Sequence, residues 1–140
     1  MNLIAATLRR FGLALLTIVL VASSFALFTP SASAESYKVK LGSDKGMLMF
    51  DPPKLNIKPG DTVEWVNNKV PPHNVVFDPA NNPTKSAGLA KGFSHKQLLM
   101  TPGQGVKTTF PEDTPLGSYS YYCEPHRGAG MVGIITVEQG

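Results

Sequence analysis

The chain has 140 residues, including 13 lysines and arginines, ten acidic residues, 13 glycines, 12 prolines and a single cysteine. This length suits one domain, and a single cysteine excludes an internal disulfide and any four-cysteine zinc or iron–sulfur site. The net charge of +3 is too small to indicate a nucleic-acid-binding protein. The glycine and proline content favours many turns and short strands over a helical bundle.

Residues 1–34 have the pattern of a secretory signal peptide. Arg9 and Arg10 precede the nearly continuous apolar run Phe11–Val21, and Ala32-Ser33-Ala34 supplies the small residues that a signal peptidase requires. A retained membrane anchor is the alternative, but polar residues interrupt the apolar run and Thr29-Pro30 breaks it before the cleavage site. We therefore predict cleavage after Ala34 and a domain of residues 35–140. This domain keeps all ten acidic residues and loses two basic ones, so its net charge is +1.

Alternation of apolar and polar residues recurs along the predicted domain and favours short β-strands. In the first such segment, Tyr37, Val39 and Leu41 share one face. Lys58-Pro59-Gly60-Asp61 has the composition of a tight turn. The predicted strands are residues 37–41, 47–50, 54–57, 62–66, 73–77, 107–110, 118–123 and 131–138.

Residues 81–100 do not follow this pattern. Lys85–Lys91 and Ser94–Met100 are each long enough for one short helical turn, but Gly88 and Gly92 oppose a long helix. We therefore expect a loop with one short helix in this segment. Seven or eight short strands separated by turns predict an all-β protein, an antiparallel Greek-key β-sandwich forming one domain.

The turn between the last two predicted strands carries three residues that can bind a metal. Cys123, His126 and Met131 have Cys-x2-His-x4-Met spacing, and a thiolate with a thioether favours copper over hard cations. His73, at the start of an earlier strand, supplies a second imidazole. Two histidines, a cysteine and a weak axial methionine are the ligands of blue-copper electron-transfer sites. The pattern therefore predicts one copper ion that alternates between Cu+ and Cu2+.

Other interpretations of these residues are weaker. A lone cysteine or methionine is usually a core residue, but core packing does not explain all four residues together in an exported chain. Zinc rarely takes a thioether, and a hydrolase with Cys123 as nucleophile and His126 as base lacks an evident orienting Asp or Asn. Glu124 is expected to face solvent because neighbouring strand residues point to opposite faces. His95 has no companion at ligand spacing and is expected at the surface.

The sequence around these ligands resembles the plastocyanins, a cupredoxin family of small blue-copper proteins in oxygenic photosynthesis. The resemblance covers residues 35–140. Because the signal peptide is simple, the chain is most similar to the cyanobacterial members of the family. Pseudoazurins share the ligand spacing, so a periplasmic electron donor to a reductase is the alternative. The segments that favour the plastocyanins are Pro71-Pro72-His73-Asn74, Tyr121-Tyr122-Cys123 and Glu124–Met131.

The resemblance implies a soluble, monomeric carrier of one electron, not an enzyme. Its electron donor would be cytochrome f of the cytochrome b6f complex and its acceptor photosystem I, at the lumenal face of the thylakoid membrane. His73, Cys123 and His126 would be equatorial copper ligands, Met131 the axial ligand, and Asn74 a support for the ligand-bearing strands.

The resemblance also implies a flat apolar docking surface around the imidazole edge of His126. Arg127, beside that histidine, matches an arginine associated with partner docking in cyanobacteria. Plant relatives carry clustered acids, whereas residues 78–96 here contain one acid and three lysines, so steering by an acidic patch is not expected. The residues implied for the docking surface are Gly42, Gly46, Leu48, Pro71, Pro72, Pro125, Gly128 and Ala129.

Overall fold

The computed structural model describes residues 33–139. Most of the predicted signal peptide lies outside the described residues, so its cleavage stays a prediction. None of the helices in residues 33–139 has the length and hydropathy of a membrane-spanning segment. The elements in chain order are β1 (Ser36–Leu41), β2 (Phe50–Asp51), β3 (Lys54–Ile57), β4 (Thr62–Asn67), β5 (His73–Phe77), α1 (Ala87–Phe93), β6 (His95–Leu99), β7 (Gly105–Thr109), β8 (Gly117–Tyr122), a 3-10 helix (Glu124–Ala129) and β9 (Val132–Val137).

The strands form two sheets packed as a β-sandwich, which confirms the predicted fold class. One sheet has the order β2-β1-β4-β7 and the other the order β3-β9-β8-β5-β6. The prediction of purely antiparallel sheets is wrong: β1 pairs with β4 in parallel, and β3 pairs with β9 in parallel. The described residues contain nine strands instead of seven or eight. The additional one is β6, which pairs antiparallel with β5.

Two segments differ from the predicted elements. The run predicted as a strand over residues 47–50 is mostly a turn, in which the Gly42 N–H donates to the Met49 carbonyl at 2.9 Å, and only Phe50 enters β2. The predicted short helix is confirmed as α1, whose N-cap is Ser86; its Oγ accepts a hydrogen bond from the Leu89 N–H at 3.2 Å.

The core between the sheets is rich in aromatic rings. The Trp65 and Tyr121 ring centroids lie 4.9 Å apart, and those of Phe93 and Phe110 lie 4.6 Å apart. Burying a large apolar side chain contributes roughly 1.5–3 kcal/mol, and edge-on or tilted ring pairs add to this. The Trp65 indole also donates to the Thr108 hydroxyl at 2.9 Å. The buried aromatic residues are Phe50, Trp65, Phe77, Phe93, Phe110, Tyr119 and Tyr121.

The pairing of β5 with β8 positions the predicted metal ligands. In this antiparallel pair Val76 is opposite Tyr122, and Phe77 is opposite Tyr121. The first residue of β5, His73, therefore lies near the residue that follows β8, Cys123. The 3-10 helix begins immediately after Cys123 and returns the chain to β9 through Met131.

Candidate metal centre

Three predicted ligands converge at one end of the sandwich. The Cys123 sulfur lies 3.6 Å from Nδ1 of His73 and 3.5 Å from Nδ1 of His126, and the two Nδ1 atoms are 3.2 Å apart. A point equidistant from three atoms with this spacing lies about 2 Å from each. This distance matches the roughly 2.0–2.3 Å bonds that imidazole nitrogens and thiolates make to a divalent metal such as zinc.

The tautomer of His73 leaves its inward nitrogen free for a metal. Its Nε2 lies 3.1 Å from the Lys69 carbonyl oxygen, which can only accept, so Nε2 carries the proton and Nδ1 presents a lone pair. Burial lowers the pKa of His73, because desolvation disfavours the imidazolium form. The neutral imidazole of His73 therefore directs the lone pair of Nδ1 towards Nδ1 of His126 and the Cys123 sulfur. A bound cation stabilises this arrangement.

Cys123 is fully buried at the end of β8. Its backbone N–H donates to the Met131 carbonyl at 3.1 Å, which ties the cysteine to the residue preceding β9. Burial raises the pKa of the Cys123 thiol, although backbone N–H groups of Asn74 and His126 act in the opposite direction. A thiolate at this position therefore requires a cation, which again fits a metal ligand better than a free nucleophile.

The segment between Cys123 and Met131 is a short closed turn. Pro125 occupies the first turn of the 3-10 helix, and Gly130 ends it with a φ of 85°, a left-handed conformation that suits glycine. The Met131 N–H donates to the His126 carbonyl at 3.1 Å, and the Met131 side chain is fully buried. These contacts fix the spacing of the three ligands that the turn supplies.

Asn74 connects three segments around the ligands. Its Nδ2 donates to the Lys96 carbonyl at 3.0 Å and to Oε2 of Glu124 at 2.7 Å, and its Oδ1 accepts from the Glu124 N–H at 2.8 Å. Glu124 is exposed, as predicted, but its carboxylate is also bonded to Asn74. Sequence reasoning missed this contact because it depends on the β5–β8 register.

Gly42 and Lys69 lie immediately behind His73. Gly42 has a φ of 86°, and a Cβ there would collide with the Lys69 carbonyl oxygen and lie 3.3 Å from Nε2 of His73. Gly42 is buried, so it lies behind the ligand instead of on the surface where the resemblance placed it. Its close approach keeps the Lys69 carbonyl in reach of His73.

The imidazole of His126 is half-exposed, and the residues predicted for docking differ in their exposure. Pro125, Gly128 and Ala129 are exposed, whereas Gly46, Leu48, Pro71 and Pro72 are half-buried. Met47 and Val70, exposed by 58% and 52%, add two large apolar side chains that sequence reasoning missed. Val70 directly precedes Pro71 and Met47 directly precedes Leu48, so their apolar character beside predicted docking residues was the available signal.

Arg127 is exposed but has two partners. Its guanidinium carbon lies 3.9 Å from the centroid of the Tyr122 ring, and its Nη2 lies 3.4 Å from Oδ2 of Asp78. His95, expected at the surface, is half-buried, and its Nε2 lies 2.9 Å from Oγ1 of Thr108. Burial lowers the pKa of His95. It is not part of the ligand cluster found among the described residues.

Comparison with known proteins agrees with this geometry. A family model of copper-binding proteins, the plastocyanin/azurin family, matches residues 37–138. The plastocyanin of Nostoc punctiforme is 72% identical over 138 residues, covering 99% of each chain. That of Prochlorothrix hollandica is 45% identical, covering 99% of this chain and 100% of its own. The solved structure of oxidised plastocyanin from Dryopteris crassirhizoma is 33% identical with a TM-score of 0.61, covering 72% of this chain and 99% of its own. Together with the convergent donor atoms, these matches show that the chain belongs to the plastocyanin family of copper-binding proteins.

Proposed function

We propose that this protein carries single electrons from cytochrome f of the cytochrome b6f complex to photosystem I, without catalysing a reaction of its own. One copper ion bound by His73, Cys123, His126 and Met131 supplies the redox chemistry by alternating between Cu+ and Cu2+. The observation that carries the proposal is the convergence of two Nδ1 atoms and one sulfur within 3.6 Å of one another. The 72% identity to a plastocyanin over nearly the full chain supports the choice of partners.

The residues around the ligands hold them in one arrangement. The Lys69 carbonyl fixes the His73 ring, and Asn74 fixes the start of the 3-10 helix through Glu124. Such contacts around metal ligands orient them and limit their movement when the charge of the site changes. A site that moves little suits rapid, reversible electron transfer.

His126 is the ligand through which we propose that partners approach. Its imidazole is half-exposed, whereas the other three proposed ligands are buried. We propose that an apolar rim surrounds this imidazole and offers a partner a dry and nearly uncharged contact. A small apolar contact allows close approach and fast release. The apolar rim consists of Gly46, Met47, Leu48, Val70, Pro71, Pro72, Pro125, Gly128 and Ala129.

Arg127 extends this surface with one positive charge. The Tyr122 ring and Asp78 hold its guanidinium in a defined direction beside His126. A charge at the edge of an interface mainly changes the association rate and its dependence on salt. We propose that Arg127 orients the protein on an acidic region of photosystem I.

We place the mature protein as a monomer in the thylakoid lumen. The predicted signal peptide supports export, and five residues of the apolar rim are exposed, as a surface for transient contacts at the membrane face requires. A pseudoazurin-type role is less well supported: the pseudoazurin of Methylobacterium extorquens is 26% identical, with a TM-score of 0.53.

Reaction kinetics with both partners test the proposal. The copper-loaded protein should be blue when oxidised, accept an electron rapidly from reduced cytochrome f, and donate it rapidly to flash-oxidised photosystem I. Cys123→Ser should abolish the blue absorption while the apo-protein remains folded, because the thiolate is the ligand that defines such sites. Slow reaction with both partners would contradict the photosynthetic role, even if the protein were blue.

Arg127→Gln tests the docking contact. The variant should react with photosystem I roughly three- to tenfold more slowly at low salt and show a weaker salt dependence, with an unchanged visible spectrum. Lys54→Gln removes an exposed charge on β3 and serves as the matched control with little effect. A changed spectrum in Arg127→Gln would assign the arginine a role in the ligand geometry instead of docking.

A further inference from the structure

The turn between β3 and β4 contains a buried carboxylate. Asp61 is only 1% exposed. Its Oδ1 accepts a hydrogen bond from the Glu35 backbone nitrogen at 2.7 Å, and its Oδ2 accepts one from the Lys58 backbone nitrogen at 2.7 Å. Each oxygen therefore has a backbone partner.

Among the described residues, no basic side chain forms a hydrogen bond or ion pair with this carboxylate. Within residues 33–139, the Asp61 carboxylate is bonded only to the backbone nitrogens of Glu35 and Lys58. On β1, Tyr37 donates its hydroxyl to Oε2 of Glu35 at 2.9 Å, and this bond is the main reason that the pKa of Tyr37 is raised to about 12. Beyond β7, the Glu112 carboxylate lies beside Gly60. On the turn itself, Lys58 is exposed. A buried carboxylate without a paired cation is costly, so a positive charge at this point would stabilise it.

We propose that Asp61 is the binding site for the α-ammonium group that signal-peptide cleavage creates on Glu35. In the uncleaved chain the Glu35 nitrogen is a neutral amide. Hydrolysis of the Ala34–Glu35 peptide bond consumes one water, leaves a carboxylate on Ala34, and gives Glu35 an amine that is protonated at neutral pH. The same nitrogen then forms a charged hydrogen bond, an ion pair with Asp61.

The local backbone fixes this nitrogen in position before cleavage. The Glu35 carbonyl accepts a hydrogen bond from the Thr62 N–H at 2.9 Å, and Ser36 is opposite Thr62 in the parallel pair of β1 with β4. Ser33, Ala34 and Glu35 are exposed, so the bond to be cleaved lies outside the sandwich. A chain beginning one residue earlier would place its ammonium about 3.8 Å farther along the backbone, out of contact with Oδ1.

The ion pair makes stability depend on the state of the N-terminus. Pairing with Asp61 raises the pKa of the α-ammonium above the ordinary value of about 7.7–8.0. A group whose pKa is higher in the folded state stabilises the fold fully below its unfolded pKa, and this contribution is lost as pH rises through the folded value. The additional stability is therefore complete near pH 6 and disappears in alkaline solution.

Two forms of the mature domain test this proposal without involving copper or electron-transfer partners. A domain of this extent folds alone, because the solved Dryopteris crassirhizoma protein is almost entirely this domain: the match covers 99% of that chain but only 72% of this one. The first form is exported protein whose measured mass must show Glu35 as the first residue. The second begins with Ala34 and so carries the same charge one residue away. The measurements are the α-amino pKa by NMR titration and the unfolding equilibrium in urea at about pH 6.

We expect the α-amino pKa of the Glu35 form to be about one unit above its ordinary value, and its folding constant about tenfold larger than that of the Ala34 form. Asp61→Asn should reduce this ratio to less than about twofold, whereas Asp113→Asn, which changes an exposed acid, should leave it intact. If Asp61→Asn fails to fold, the NMR titration still decides. A mature protein starting elsewhere than Glu35, an α-amino pKa near 8, or equal stability of the two forms would overturn the proposal.

Discussion

The aromatic core and the metal-ligand turn are stabilised by different forces. The core buries rings between two sheets, and its contacts are mainly apolar, with ring pairs that are edge-on or tilted. The turn from Cys123 to Met131 has no buried residue within its 3-10 helix and is fixed by hydrogen bonds from Asn74 and the backbone. This difference indicates that the core sets the stability of the protein, whereas the polar contacts set the geometry of the copper ligands.

Phe110→Ala should cause the largest loss of stability. Phe110 is fully buried and packs against Phe77, Phe93 and Tyr119. Removing a buried phenylalanine leaves a cavity and typically costs about 3–5 kcal/mol. We expect a decrease of this size in the free energy of unfolding in denaturant, with an unchanged visible spectrum in the folded copper protein. A shifted spectrum would contradict the separation of core and site, and Phe110→Leu should show a smaller stability loss.

Asn74→Ala should reduce the free energy of unfolding less than Phe110→Ala does, but should change the visible spectrum. It removes the amide that donates to Lys96 and Glu124 and accepts from the Glu124 N–H. Asn74 is buried, although Lys96 and Glu124 are exposed, and we expect the loss of its three hydrogen bonds to cost about 1–3 kcal/mol, less than the core variant. We also expect an altered blue absorption band, because the 3-10 helix loses its anchor. Asn56→Ala, which removes an exposed bond to Glu138, is the control. An unchanged spectrum for Asn74→Ala would show that the turn is rigid without this anchor.

His95→Gln should change only the pH dependence, the smallest of these effects. Desolvation lowers the pKa of His95 below the ordinary 6.5, so protonation favours the unfolded state. The contribution of His95 is present above about pH 6.5 and is lost as pH falls below that value. Between about pH 7.5 and pH 5, the wild-type copper protein should lose more stability than the variant, in which glutamine keeps a polar partner for Thr108. Equal losses in denaturant titrations would exclude His95 as a source of this dependence.

Much of the sandwich could be predicted because its central strands alternate clearly. Val63 and Trp65 on β4 are buried, and the residues that alternate with them, Thr62, Glu64 and Val66, are half-buried. β6 was missed because four of its five residues are exposed or half-buried and no alternation is visible. The parallel pairings could not be predicted, because strand order depends on packing between distant segments and not on local pattern.

The ligands could be predicted from residue types and spacing alone. What the sequence could not give is how they are held: the Lys69 contact of His73 and the Glu124 contact of Asn74 both depend on the registers of neighbouring strands. The exposure of Met47 and Val70 depends likewise on the turns that carry them. His95 was misplaced because its partner, Thr108, is on a strand of the opposite sheet.

The sheet order also bears on when the protein can fold. Within residues 33–139, β1 and β9 are the first and last strands, yet both occupy interior positions, β1 between β2 and β4 and β9 between β3 and β8. The five-stranded sheet therefore cannot be completed until β9, the last of these strands, has been synthesised. A chain that ends before β9 lacks the strand between β3 and β8, so the sheet that contains His73 at the start of β5 is complete only after the last of these strands has been made.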